Sequence, residues 1–298
     1  RPSHGFFILP SFACMNFDEQ LNVLIHAALL EDIGDGDHST LSCIPADARG
    51  KALLKIKQDG VLAGMEVAEQ IFKKRDRTSV FSSFKKDGDE MVYGEIAFEV
   101  EAFVHTILNI ERLVLNSMQR MSGIATLTKK YTEKLHGYKT QVLDTRKTTP
   151  NFRLLEKEAV RIGGGNNHRM GLYDMIMLKD NHIDFAGGLE NAIEKAWEYV
   201  QAIKPGLKIE VETRNLDEVK RVIRMGKVDR IMLDNFSPEL LAEAMAIIGG
   251  LVETEASGGI NIDNICNYAE TGVDYVSVGA LIHQAKSLDL SLKADLKA

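Results

Sequence analysis

The chain is poor in cysteine, has no long hydrophobic run and carries no excess of positive charge. Each shortage excludes something. Its three cysteines, Cys14, Cys43 and Cys266, are too few and too scattered for a disulfide framework or a cysteine zinc site. That usage points to a reducing compartment, the cytoplasm. No apolar stretch approaches the roughly 20 residues of a membrane-spanning helix. Lys and Arg number 36 against 43 Asp and Glu, for a formal net charge of -7. A nucleic-acid backbone asks for the opposite balance, so general nucleic-acid binding is disfavoured. What remains is an ordinary globular composition, 45% hydrophobic and 27% charged over 298 residues. That is enough for one large domain or two modest ones.

Residues 1–14 are set aside. The sequence "RPSHGFFILPSFAC" holds a short apolar piece, two prolines and no proper cleavage pattern. It is expected to be a remnant of cloning or of upstream translation rather than a signal peptide. Met15 precedes a stretch in which Leu21, Leu24, Ile25, Ala28 and Leu29 recur at helical spacing. The following "EDIGDGDHST" is a polar, Gly-rich turn. Its acids do not complete a calcium loop, since no Glu closes one. Short strand-like segments come next, "KALLKIKQ", "GVLAGM", "SVFSSFKKDGDEM" and "IAFEVEA", with a helix "EVAEQIFKK" among them. This is a small α+β unit. A long helical pattern, "TILNIERLVLNSMQRMSGIATLTKKYTEKL", then leads into a second region near Met118.

There, short aliphatic strands alternate with amphipathic helices. The strands are "TQVLD", "DMIMLK", "KIEVE", "RIMLD", "LVETEA" and "YVSVG". Alternation of this kind predicts a parallel sheet with crossover helices. Glu212, Asp234, Ser257 and Gly279 stand at strand ends separated by 22, 23 and 22 positions, one βα unit each. A closed βα barrel fits best, with an open doubly wound sheet as the alternative.

In a βα barrel the working groups lie at the C-terminal ends of the strands. Arg146 and Lys147 follow "QVLD", and Lys179 ends "MIMLK". Glu212 ends "IEVE" and Asp234 ends "IMLD", while His168 and Arg169 occupy a Gly-rich loop before "MIMLK". Any one of these could be a solvated loop charge. Together they describe a mouth lined with cations, awaiting an anion. "EASGGI" and "SVGALIH" end the last two strands. Small residues there let backbone N–H groups approach a phosphate. Glu212 and Asp234 could be counter-ions, a general base, magnesium ligands or partners of ribose hydroxyls, and spacing alone does not choose.

These residues carry a resemblance. "ERLVLNSMQRMSGIAT", "DTRKTTPNFRLLEKEAVRIGGGNNHRMGLYDMIMLKDNH", "EVE", "IMLDNF", "EASGGI" and "SVGALIH" together resemble quinolinate phosphoribosyltransferase, also called nicotinate-nucleotide pyrophosphorylase (carboxylating). The likeness runs from "LLEDIGDGDHST" to "LDLSLK". It implies an N-terminal α/β sandwich over 15–116 and an incomplete (β/α) TIM-like barrel over 117–285, with 286–298 packing back on the first domain. It implies the conversion of quinolinate and phosphoribosyl pyrophosphate to nicotinate mononucleotide, pyrophosphate and CO2 with Mg2+, in de novo NAD synthesis. It implies a homodimer with shared active sites, or a higher assembly built from it. Arg146, His168, Arg169 and Lys179 fall on quinolinate-binding positions, with Lys147 beside them as a catalytic candidate. Arg112 falls on an arginine lent by the partner. Glu212 and Asp234 match acids near ribose and metal. Ser257, Gly258, Gly259, Gly279 and His283 match the phosphate end.

The physics agrees with that implication. Two carboxylates on one small ring need paired cations, and Arg recognises a carboxylate bidentately. A cationic pit in an acidic protein concentrates anionic substrates. The alternatives are a pyridine phosphoribosyltransferase that does not decarboxylate, a homologue from molybdate-transport operons, and a non-catalytic anion-sensing barrel. The cation cluster disfavours the first and the intact acids disfavour the last.

Overall fold

The protein is described from a computed structural model covering residues 12–295. Residues 1–11 of the set-aside segment, and 296–298 of the segment expected to pack back, lie outside the described residues. Phe12–Cys14 form one 3-10 turn ahead of α1 (Phe17–Ile33). Asn16 and Glu19 close a reciprocal cap at the start of α1, with two bonds of 2.9 Å. The expected turn "EDIGDGDHST" is partly helical. The helix α1 runs to Ile33, and α2 (His38–Cys43) begins where Asp37 accepts the amide of Thr40 at 3.1 Å.

The N-terminal layer follows with β1 (Arg49–Ile56), β2 (Gly60–Val61), α3 (Met65–Arg75), β3 (Val80–Ser83), β4 (Glu90–Met91) and β5 (Ile96–Phe103). Ala52, Leu54 and Ile56 alternate along β1 and are fully buried. Phe72 and Phe98 meet edge-on at 6.2 Å in the same core.

One helix joins the two halves. It is α4 (Val104–Lys134), 31 residues without a break. No linker therefore marks the expected boundary after residue 116, which falls inside it. A Cβ at Gly123 of α4 would stand 2.0 Å from Lys286 O, so glycine is what lets the returning chain cross this helix.

The second half runs β6 (Gln141–Leu143), α5 (Arg153–Ile162), β7 (Ile176–Leu178), α6 (Asp180–Ala186), α7 (Leu189–Ala202), β8 (Ile209–Thr213), α8 (Leu216–Met225), β9 (Arg230–Asp234) and α9 (Pro238–Ile248). It continues with β10 (Glu253–Ser257), α10 (Ile265–Ala269), β11 (Tyr275–Ser277), α11 (Ala280–His283) and β12 (Leu290–Ala294). Six strands pair in the order β6-β11-β10-β9-β8-β7, all parallel. The ladder does not join β6 to β7, so the closed barrel expected from spacing is corrected to an incomplete one. The connection between them carries α5 and then the cationic loop. Asn166 alone bridges to Leu143 along that edge.

Alternation does the rest. Val211, Leu233, Ala256 and Val276 are buried under the helices. Their neighbours Glu212, Asp234, Ser257 and Ser277 face a cavity inside the barrel. The last strand, β12, leaves the barrel and pairs antiparallel with β1, giving a four-stranded sheet of order β12-β1-β5-β3. Among the described residues no helix is long and apolar enough to cross a membrane.

Candidate active site

The barrel mouth holds a cavity of about 960 Å3. Every candidate residue named from the sequence lines it except Arg112. The strand ends bring in Lys179, Glu212, Asp234, Ser257 and Gly279, and the loops bring in the rest. Lys147 lays its stem against Gly279, where an added Cβ would meet Lys147 Cδ at 3.0 Å and His283 Nε2 at 3.2 Å.

The loop bearing Arg146 and Lys147 is anchored from below. Thr149 donates its amide to Glu156 Oε2 at 2.7 Å, and Arg120 of α4 grips Glu156 Oε1 through two nitrogens at 3.0 and 2.8 Å. The loop bearing His168 and Arg169 hangs on a second buried pair, Lys157 and Asp144, both with fully buried side chains. Asp144 also accepts the amide of His168 at 2.9 Å. Burial pushes the Asp144 carboxyl up to about 6 against the pull of Lys157. Burial likewise lowers Lys157 against the pull of Asp144.

Of the Lys and Arg side chains lining the cavity, three have no carboxylate within ion-pair distance among the described residues: Arg146, Lys147 and Arg169. Arg146 Nε is buried and without a hydrogen-bond partner. Arg169 Nη1 donates to Met175 O at 3.1 Å. Its guanidinium is held below its ordinary range by burial and by the nearby charge of Arg146. Two guanidiniums forced together without a counter-ion are a standing demand for an anion. Lys179 differs, since its Nζ is already 2.9 Å from Glu212 Oε2.

His168 sits on the floor, its side chain 5% exposed, with Nε2 3.0 Å from Glu210 Oε2 and 3.3 Å from Glu255 Oε2. These are ion-pair contacts, off the line of a hydrogen bond. Burial draws the imidazole down, but the two carboxylates outweigh it and raise it to about 9. Its Nδ1 lies 2.6 Å from the amide of Arg169, a contact that suits a neutral ring. Protonating Nδ1 would cost that contact, which opposes the pull of the carboxylates. Burial and then the charge of Glu255 raise Glu210 to about 7. Arg230 donates to Glu255 at 3.0 Å and to Glu253 at 2.9 Å, and its guanidinium stacks 4.2 Å over the Tyr275 ring.

Sequence reasoning singled out His168 but not its floor partners Glu210, Arg230 and Glu255, nor Asn235 on the cavity wall. A signal was present. In "IEVET" and "ETEAS" charges fall at every second position of buried strands, which places them on one face. Arg112 lies on α4 outside the cavity, its side chain 69% exposed. Neighbours on a helix do not face each other, so Glu111 is an unexpected partner. Even so, Arg112 Nη2 reaches Glu111 Oε1 at 4.0 Å, the limit of an ion pair.

An incomplete barrel whose mouth pairs unneutralised cations with two wall carboxylates and glycine loops defines an enzyme site for small polyanions. Residues 124–293 match the family quinolinate phosphoribosyl transferase, C-terminal domain, and residues 37–122 match its N-terminal domain. The chain is similar to the rice protein "Nicotinate-nucleotide pyrophosphorylase [carboxylating], chloroplastic", 44% identical with 92% of this chain and 78% of that one covered. It is also similar to "Probable nicotinate-nucleotide pyrophosphorylase [carboxylating]" of Bacillus subtilis, 40% identical with 93% and 94% covered. Among solved structures, NadC from Streptococcus pyogenes superposes with a TM-score of 0.85 at 42% identity, with 92% of this chain and 95% of that one covered. The chain belongs to the quinolinate phosphoribosyltransferase family.

Proposed function

We propose that this cavity joins quinolinate to phosphoribosyl pyrophosphate, giving nicotinate mononucleotide, pyrophosphate and CO2 for NAD biosynthesis. The observation that carries the site reading is the set of three unpaired cations, Arg146, Lys147 and Arg169, gathered in one cavity of a protein of net charge -7. They, with Lys179, suit the two carboxylates of quinolinate, while His168 lines the same cavity from the floor.

In the first step the pyridine nitrogen forms a bond to ribose C1 and the C1–O bond to pyrophosphate breaks. Positive charge grows on the sugar as that bond stretches, and Glu212 and Asp234 stand on the wall to stabilise it. The ring nitrogen is then cationic. The bond from C2 to its carboxylate breaks, CO2 leaves, and the electron pair stays on C2 beside that nitrogen until a proton arrives. Phosphoribosyl transfer therefore precedes decarboxylation. Ser257, Gly258, Gly259, Gly279 and His283 suit the phosphate groups.

Glu212 and Asp234 also fit Mg2+. Each uses one oxygen within the protein, on Lys179 and on Asn235 respectively, and the other has no partner among the described residues. Magnesium takes one or two carboxylates and fills its shell with water and substrate phosphate. Bound there, it would offset the charge of the departing pyrophosphate.

Arg112 is read as belonging to the cavity of a second copy in a homodimer, because it stands exposed on α4 away from its own cavity. The three cysteines are free, in keeping with a reducing compartment, read here as the cytoplasm. The direct test of function is release of CO2 from quinolinate, dependent on phosphoribosyl pyrophosphate. Nicotinate consumed in place of quinolinate, without CO2, would reverse the substrate assignment.

A further inference from the structure

Asn235 follows Asp234 at the end of β9 and shares the cavity wall with it. Its φ is 58°, in the left-handed region. Among the described residues only one other non-glycine, Asn151, adopts a positive φ. Asparagine tolerates this region better than most side chains, so its surroundings decide what it does here.

Those surroundings are specific. The Asn235 amide donates to Ser257 O at 2.8 Å. Its Nδ2 donates to Asp234 Oδ2 at 2.6 Å. Its Oδ1 lies over Gly258, where an added Cβ would come within 2.2 Å of that oxygen and 3.0 Å of Asn235 N. Gly258 itself has a φ of +96°. The wall acid, the turned asparagine and the glycine loop after β10 are thus one assembly.

We propose that Asn235 is a positioning residue for the sugar-phosphate substrate. It holds the Asp234 carboxylate by one oxygen and fixes it in register with the glycine loop, so that the ribose end and the phosphate end are presented together. A bare turn would not need this side chain. Glycine takes a φ of 58° without strain and has no carboxamide, and the carboxamide is the part that touches Asp234. The inference rests on the reading of the cavity given above.

Asn235→Gly keeps the turn and removes the amide. Its KM for phosphoribosyl pyrophosphate should rise about tenfold, the scale of one lost hydrogen bond to a charged group. The KM for quinolinate and the melting temperature should hold. Calorimetric titration with phosphoribosyl pyrophosphate alone should show the same weakening. Gly258→Ala should cost less in the Asn235→Gly background than in the native one, because the clash with Oδ1 is gone. If the unsubstituted protein releases no CO2 from quinolinate, the reading of the cavity fails. If it does so and Asn235→Gly matches it in both titration and turnover, the positioning role alone fails. A parallel rise in both KM values with a lowered melting temperature also overturns it, since that is general loosening of the wall.

Discussion

Lys157 Nζ donates to the carbonyl oxygen of His168 at 3.0 Å, from a side chain with no solvent exposure. A buried ammonium therefore holds the backbone of the loop that presents Arg169, while Asp144 holds both the ammonium and the amide of His168. Lys157→Met leaves Asp144 buried and unpaired, which costs about 3–5 kcal/mol. Melting should drop by roughly 10 °C for a chain of this size. Adding Asp144→Leu should recover only part of the loss, because the amide of His168 then has no acceptor. Full recovery in the double variant would show that the pair does not anchor the loop.

The floor gives a pH dependence. His168, raised to about 9 from its ordinary 6.5, favours the fold fully below pH 6.5. That contribution disappears as the pH climbs through 9, and it amounts to at most about 3 kcal/mol. Melting temperature should decline between pH 6.5 and 9, and His168→Gln should flatten the decline. An equal decline in both proteins would place the titrating group elsewhere.

Arg169 stands near the like charge of Arg146, so an anion between them is favoured. Arg169→Ala should weaken quinolinate binding by about one to two decades, the equivalent of roughly 1.5–3 kcal/mol for a charge-assisted contact. Binding of phosphoribosyl pyrophosphate should not change. Isothermal titration with each substrate separately checks both halves, and unaltered quinolinate affinity would remove Arg169 from the site.

Arg112 and Lys147 offer a test of a shared site. Arg112→Ala and Lys147→Ala should each be nearly inactive. Unfolded, mixed and reassembled, they should regain up to about a quarter of native activity, since half the dimers are mixed and each has one intact site of two. Mixed dimers seen by native mass spectrometry but without activity would assign both residues to one subunit's cavity.

The strands and helices of the barrel were legible where burial and capping agree. "RIMLD" and "PELLAEAMAII" form over the same residues that their patterns indicate, with Ser237 capping the helix and Pro238 at its start. "NIDNICNYAET" forms a helix only over Ile265–Ala269. The side chains of Asn261 and Asn264 bond nearby amides at 2.9 and 2.8 Å and hold the preceding residues in a turn. "GVLAGM" stops being strand after Val61, because Asp87 takes the amides of Gly64 and Met65 at 2.6 and 2.9 Å and starts α3. In the site, charged strand ends were visible one at a time. Glu210, Arg230 and Glu255 acquire meaning only when β8, β9 and β10 stand side by side, and that adjacency is a property of the sheet.

The pairing of β12 with β1 sets a schedule for the newborn chain. One edge of β1 stays open until Leu290–Ala294 has left the ribosome. At usual elongation rates that is a delay of roughly 10–50 s after β1 itself emerges. During that interval the N-terminal layer offers an unsatisfied strand edge to any neighbouring chain. Leu290–Ala294 is therefore the segment that ends its exposure to aggregation.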